Sequence, residues 1–504
     1  MFAGANYSHV DGTETWNNEN YQFPQSLFDR ESYSKNSYRN HQEYMQFRYQ
    51  NQKGKRYWVG KFTLVNLSTP RNVSSGFARE STETNVFSNI RKKSLSPKID
   101  LNANLPLSKN QTLTLGVHGK YSANSYHRLY QEQPFEAMTD EDEKALSFQL
   151  SAIYNYFSQK HSLSVELFHY HDVWNADYSG NCELWQHLWK GESLAFFSYN
   201  FQASRRLSLK TRIGLDWLQY HLHGDNSFSQ LSPRINTNVQ YQLNKGMLLW
   251  SFNFVNSNHG MDVINRAMIQ VNSHMMEKGM PELKKSHDIN TYLYYMGRFN
   301  RLSVSAIGQF RYNHHPVTDD YYLDEANGKI VKTYSNGGNA QYYSAILALQ
   351  YKLCKFANLS GDIRYNHAEV KTTWSKHNNN LTGNLGLNMF MGDFALKPYL
   401  HFGKKSLDEA ALVISKTPID YGMSCSYSRG NLYVELQAVS PFKKQEKRYW
   451  LDLPIYSYSK SIKDQTASQY ASIKVAYSFD FGRKTQKVEK DVNKNINSSL
   501  LRVE

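Results

Sequence analysis

Residues Leu381 to Phe402, LTGNLGLNMFMGDFALKPYLHF, divide into two interleaved halves. Every second position of the first half gives Leu381, Gly383, Leu385, Leu387, Met389 and Met391, with Thr382, Asn384, Gly386, Asn388 and Phe390 between them. After Gly392-Asp393 the alternation resumes, with Phe394, Leu396, Pro398, Leu400 and Phe402 against Ala395, Lys397, Tyr399 and His401. Strand side chains alternate faces, and Gly at the first position of a two-residue turn suits a type II′ hairpin. The stretch reads as two strands sharing one apolar face.

Outward from this hairpin the pattern recurs. Ile235 to Leu243 and Leu248 to Phe254 flank Asn244-Lys245-Gly246, Ala345 to Leu353 is followed by Leu359 to Tyr365, and a further pair surrounds Ser428 to Asn431. Earlier pairs bracket Lys53 to Lys55, Lys109 to Gln111, Ser158 to His161 and Arg205-Arg206, and another surrounds Gly297 to Asn300. With a first strand near Phe2 to Val10 and a last ending at Phe481, the pattern predicts about 20 strands of roughly 9–13 residues, the length of tilted membrane-crossing strands.

Connection lengths alternate as well. Short turns take turns with long polar stretches at 68–97, 122–145, 171–193, 218–232, 255–287, 313–340, 403–418 and 443–467. Outer-membrane barrels have this rhythm, with short periplasmic turns and longer extracellular loops. The apolar face then meets lipid, and aromatics near strand ends, such as Phe254, Tyr365, Phe402 and Tyr427, fit interfacial girdles.

Composition agrees. The 504 residues include 37 Tyr, 26 Phe and 9 Trp but only 12 Pro, and mean hydropathy is −0.66. No segment approaches the roughly 18 uninterrupted apolar residues of a spanning helix, whereas lumen residues dilute the hydropathy of a membrane barrel. The net charge of +14 is spread through turns and polar faces without a concentrated basic patch, so no nucleic-acid partner is expected. Cys182, Cys354 and Cys425 are too few for a disulfide framework and are expected unpaired.

MFAGANYSHVDG lacks the basic start and apolar stretch of a signal peptide and reads as a strand. At the other end YASIKVAYSFDFG sets Ala471, Ile473, Val475, Tyr477, Phe479 and Phe481 on one face. It resembles the terminal signature by which barrel assembly machinery reads outer-membrane proteins. The polar stretch 483–504 is expected to be a disordered periplasmic tail.

The hairpin series, the Tyr- and Asn-rich strands and the FDFGRK ending resemble the barrel region of TonB-dependent receptors, especially the Bacteroidota-type outer-membrane β-barrel group. GMPELKKSHDINTYLYY, Gly279 to Tyr295, resembles the family segment leading from a long extracellular loop into a strand. Gly279, Pro281, Glu282, Leu283 and Lys284 match; Met280 replaces the usual Asn, and Lys285 and Ser286 replace Pro and Glu. The resemblance implies an all-β, transmembrane, antiparallel up-and-down barrel of about 20–22 strands over 1–482, in the bacterial outer membrane. The family's plug and its TonB-engaging motif are not seen; with about two further strands, they would lie before Met1. The resemblance implies the TonB system as a partner only if a plug is supplied upstream.

No nucleophile elbow, His-Glu-x-x-His, Walker loop or dinucleotide fingerprint occurs, so neither catalysis nor a cofactor is expected. Trp174, Trp185, His187 and Trp189 fall in one long connection, where aromatic planes can stack on a ligand or pack on one another. His169 and His171 with Asp172, and His221 and His223 with Asp225, share the alternate spacing of a strand-borne metal pair. They read first as polar residues on a wet rim, and no metal site is assigned. The acidic run Thr139–Lys144 reads as an exposed loop.

Two readings of function stand. One is an outer-membrane receptor or transporter taking up a siderophore, vitamin, glycan or peptide, with lipid, the assembly machinery and a small-molecule or oligomeric nutrient as partners. The other is a non-transporting barrel acting as an adhesin or assembly partner. In both, Leu381, Leu385, Leu387, Leu396 and Leu400 face lipid while Asn384, Asn388 and Lys397 face the lumen. The turns at Asn244–Gly246 and Gly392-Asp393 are periplasmic, and 171–193 and 255–287 lie outside.

Overall fold

The computed structural model describes residues 2–23, 26–79, 82–225, 227–257, 259–443, 445–463 and 469–478. In chain order the strands begin with β1 Phe2–Phe23, β2 Ser26–Lys53, β3 Arg56–Arg79, β4 Thr82–Ser108, β5 Gln111–Glu132 and β6 Phe135–Phe157. There follow β7 His161–Gly180, β8 Leu184–Gln202, β9 Leu207–Leu222, β10 Phe228–Leu243 and β11 Gly246–Ser257. The helical turn α1 Met261–Ile264 and the short strands β12 Met268–Gln270 and β13 Met275–Lys278 interrupt the series. It resumes with β14 Ser286–Phe299 and β15 Leu302–His314, breaks for β16 Thr318–Asp324 and β17 Lys329–Ser335, and returns with β18 Asn339–Lys352, β19 Ala357–Lys371 and β20 Ser375–Met391.

Four last strands are each broken once. They are β21 Phe394–His401 with β22 Lys404–Leu407, β23 Ile414–Thr417 with β24 Asp420–Arg429, β25 Leu432–Val439 with β26 Lys447–Asp452, and β27 Tyr456–Lys463 with β28 Tyr470–Tyr477. Taking each broken pair as one, twenty wall strands lie within the described residues, each antiparallel to its neighbours, in agreement with the strand number read from the sequence. The ring closes at the loop end, where Glu14 to Tyr21 of β1 pair with Lys463 to Tyr456 of β27. At the turn end β28 pairs with β25, and among the described residues no ladder joins β28 to β1.

Alternation sets the wall's two faces. Leu347 stands opposite Ile363, Tyr365 opposite Leu381, Leu385 opposite Leu400, Leu396 opposite Cys425, and Cys425 opposite Leu436. Direct partners share a face, so these residues form a belt running from strand to strand, and most of the large ones are solvent-exposed. An exposed apolar surface of this extent marks a membrane-facing belt. Asn384, Asn388 and Lys397 alternate with the belt residues and so lie on the opposite, lumen face, where they line a cavity with Ser360 and Asp362. Gly392 has φ +61°, the left-handed region its type II′ turn requires. The three cysteines are unpaired.

Two expectations need correcting. The stretches 68–97, 122–145 and 171–193 are not long loops: β2 to β8 run for 19–28 residues, well beyond the expected 9–13. The apolar rhythm stops where lipid stops, but the ladder continues into water with polar residues on its outer face, as in Gln131 opposite Glu136 near the tip of β5–β6. The acidic run Thr139–Lys144 is accordingly part of β6, with Glu141 and Glu143 buried. Phe479, Phe481 and 483–504 lie outside the described residues.

Candidate functional site: a cap across the loop end of the barrel

The wall is uneven. β11, β14, β15 and β18 have only 12–14 residues, and the two connections rising from this short side, described over 259–285 and 315–338, fold inward instead of upward. They build one four-stranded sheet. β12 pairs antiparallel with β13, β13 parallel with β17 (Met275 opposite Ile330), and β17 antiparallel with β16.

This sheet is fixed to the inner wall around its rim. On one side Tyr21, Val370, Leu451 and Tyr456 from the wall pack with Met275, Tyr321 and Ile330 of the sheet and with Leu412. On another, Ala176, Tyr178, Leu188 and Leu222 pack with Ile264, Ala267 and Ile269. Polar contacts complete the rim. Arg128 on β5 donates to the carbonyls of Gln270 (2.9 Å) and Val271 (2.6 Å). Ser273 Oγ donates to Glu132 (2.9 Å), and Asn272 Nδ2 to the Tyr21 hydroxyl (3.1 Å). The cap therefore touches β1, β5, β7, β8, β19, β26 and β27 and spans the mouth.

The Gly279 segment holds its base. A Cβ at Gly279 would sit 2.2 Å from the Asn265 carbonyl oxygen and 2.7 Å from that of Val263, so only glycine fits this backbone crossing. Asn265 is fully buried; it donates to the Tyr178 hydroxyl and accepts from Gln186 and from the Ala267 N–H (2.7 Å). Leu283 is buried, and the Lys284 N–H donates to Asn336 Oδ1 (3.2 Å), tying the two inward connections together. Pro281 and Glu282 form the turn before β14.

Lys285, where the resemblance has proline, makes a buried ionic anchor. Its ammonium lies 3.0 Å from Asp216 of β9, and neither side chain reaches solvent. Asp216 also accepts from Arg234 (2.7 and 3.1 Å) and Asn256 (3.2 Å), and Arg234 reaches Glu192 at 3.1 Å. Sequence reading missed Asp216, Arg128 and Asn265, which look like ordinary inward polar positions. The one visible signal was the departure at Lys285.

Two acids show the cap's electrostatics. Burial pushes the Glu141 carboxyl up to about 9, against the Tyr178 hydroxyl that donates to it at 2.6 Å. Burial likewise raises Asp319 to about 6 although Lys332, shared with Glu277, stands 3.3 Å away. Removing these carboxylates from water is what shifts them.

The expected aromatic site is divided by the wall. Trp174 is opposite Leu188 and packs beneath the cap on the inner face. Trp185, His187 and Trp189 are on the outer face of β8. The Trp185 ring stacks on His187 (6.0 Å, 13°) and meets His223 edge-on (5.0 Å), and Trp189 meets His171 (5.6 Å). These rings form an outer patch and do not converge with Trp174. His169 and His221 are hydrogen-bonded to Ser193 and Ser227, and among the described residues no three metal-ligating side chains converge.

No family model and no curated protein matches the chain. Solved structures do. The chain is similar to the copper transporter OprC (TM-score 0.56, 10% identity, 90% of this chain against 80% of that one). It is also similar to the FrpB iron transporter from Neisseria meningitidis (0.51, 8%, 90% against 81%) and the outer membrane transporter YddB from Escherichia coli (0.51, 9%, 90% against 80%). The fold is that of bacterial outer-membrane transporter barrels. At such identities the likeness concerns the fold alone.

Proposed function

We propose that the chain is the barrel of an outer-membrane nutrient receptor of the TonB-dependent kind, and that the cap is the surface that first holds the nutrient and controls entry to the lumen. The observation that carries this reading is the cap itself. Among the described residues it is a separate sheet, joined to the tall wall by side chains and not by ladder bonds, above a lumen whose lining includes Asn, Ser, Lys and Asp side chains. An adhesin has no need to fold its loops inward across a polar channel. The nutrient class is a small polar molecule or oligomer, with siderophore, vitamin, glycan and peptide all compatible. Energy coupling through TonB belongs to this reading only with a plug.

The test is growth of a deletion strain under limitation for iron, copper, vitamins, glycans and peptides in turn. A defect on one of them, restored by the intact gene, is the expected result. Unchanged growth on all of them, with reduced attachment to surfaces, would replace this reading by the adhesin.

A further inference from the structure

The outer face of the loop end carries a row of charge that nutrient capture does not use. Lys405 on β22 is directly opposite Lys416 on β23, and Lys416 is directly opposite Arg448 on β26. Three cations from three neighbouring strands thus lie side by side, with facing Cα atoms roughly 4.5–5.5 Å apart. The row continues through Ser461 and Trp16 to Tyr33, which is 41% exposed. Because direct partners share a face, the whole row lies on the outside of the wall. Like charges directly opposite destabilise a sheet; Glu446 meets Arg448 at 2.9 Å, so it is the facing Lys405 and Lys416 that call for a further anion.

Its height supplies the anion's identity. Along β21–β22 the lipid-facing Leu396 and Leu400 lead to Phe402, 49% exposed, and then to Lys404-Lys405; Ile419, 52% exposed, comes just below Lys416. Phe442, 87% exposed, stacks on Tyr421 below Arg448. The cations therefore begin where the apolar belt ends, at the headgroup level. Beside them a groove of 1110 Å³ is walled by Trp16, Tyr33 and Trp450; the Lys405 ammonium lies 5.3 Å from the Trp450 ring centre. The groove's two carboxylates are already engaged, Glu446 by Arg448 (2.9 Å) and Ser461 (2.5 Å), Glu31 by Asn18 (3.3 Å).

We propose that Lys405, Lys416 and Arg448 bind the phosphate of a phosphorylated glycolipid in the outer leaflet, with its sugar ring against the aromatic groove. Cations supply the phosphate contact, and flat aromatic faces suit a sugar better than they suit the flexible headgroup of a phospholipid. The proposal rests on the loop end facing outward.

The test uses the purified full chain in mild detergent, where lipid binding does not depend on which way the barrel is inserted. Lipid A and its phosphatase-treated form are added, and the lipid retained is counted by native mass spectrometry. The wild type is expected to retain lipid A at least tenfold better than the dephosphorylated form, and the variant Lys405→Gln/Lys416→Gln/Arg448→Gln to lose that preference while keeping heat-modifiable gel migration. Equal retention of lipid A by variant and wild type would overturn the site. Complete displacement by inorganic phosphate would reduce it to a simple anion site and overturn the glycolipid. Orientation is read separately by thiol labelling at Ser179→Cys on intact cells; inward-facing loops would overturn the leaflet assignment even with lipid A bound.

Discussion

Replacing Asp216 by alanine should release the cap. The carboxylate is fully buried and is the ion-pair partner of Lys285, whose ammonium is buried with it at 3.0 Å. Removing one partner of such a pair leaves an uncompensated charge and typically costs about 3–5 kcal/mol. Arg234 retains Glu192 at 3.1 Å, so the loss falls mainly on Lys285 at the base of the cap. The wall is held by long ladders between neighbouring strands, whereas the cap is held to it by side chains; the weaker unit opens first. At a factor of ten per roughly 1.4 kcal/mol, the open fraction should rise by about two to four powers of ten. A single cysteine at Ser273, which contacts Glu132 across the mouth, reports the opening when Cys182, Cys354 and Cys425 are replaced by serine. Its modification by a soluble maleimide should accelerate by that factor, while a cysteine at the exposed Ser179 should react at an unchanged rate. Asp216→Leu combined with Lys285→Met should restore slow labelling, since an apolar pair of similar volume removes the stranded charge. Unchanged labelling at 273 in Asp216→Ala, with the barrel intact, would refute the anchor.

Four further outcomes follow from the same geometry. Leu385→Arg, on the lipid face, should destabilise the bilayer-inserted barrel by about 2–4 kcal/mol in urea titrations, and Asn384→Arg should be tolerated; equal effects would sink the assignment of faces. Gly279→Ala, which brings a Cβ against the Asn265 carbonyl, should raise labelling at Ser273→Cys and leave barrel assembly unchanged. Burial holds Glu141 near 9 beneath the cap against 4.5 when free, so docking should weaken steadily as pH rises from about 5 to 9. Glu141→Gln should flatten that profile, once labelling is normalised to Ser179→Cys for thiol ionisation. On intact cells in a Cys182→Ser background, an impermeant reagent should modify Ser179→Cys but not Lys245→Cys; the opposite pattern would invert the barrel.

Strand alternation was legible wherever one face met lipid. Leu381 to Phe402 revealed its hairpin because a period of two is imposed by two different solvents. Above the membrane water lies outside and polar groups lie within, so the contrast disappears while the hydrogen bonds persist. This is why 122–145 looked like a loop and why Glu141 and Glu143, buried at alternate positions, were hidden in an acidic run. The aromatic candidates failed to converge for a related reason. Trp174 and Trp185 were assigned to one flexible connection, but they sit on adjacent rigid strands, where parity sends one inward and the other outward. The cap was illegible for another cause. Its strands β12 and β13 have three and four residues, too few for periodicity. Its parallel pairing joins Met275 to Ile330, and Lys285 finds Asp216 69 positions earlier. Local pattern carries no information about such partners.

The unequal wall explains why the cap lies where it does. Strand β2 has 28 residues and β11 has 12; at roughly 3.3 Å per residue one side rises far above the other. A connection leaving the short side at the lipid boundary therefore meets the inner face of the tall side rather than open water. That face offers Tyr21, Tyr178 and Leu188 for apolar burial and Arg128 and Gln186 for the cap's backbone and amide groups. The chain joins the cap only to the short side, through β11, β14, β15 and β18. Opening must accordingly break the contacts with β1, β5, β7 and β8 first and turn about the short rim. The Asp216–Lys285 pair stands near that rim, between β9 and the start of β14. Its loss loosens the base of the cap, and the distant contact at Ser273 reads out the result.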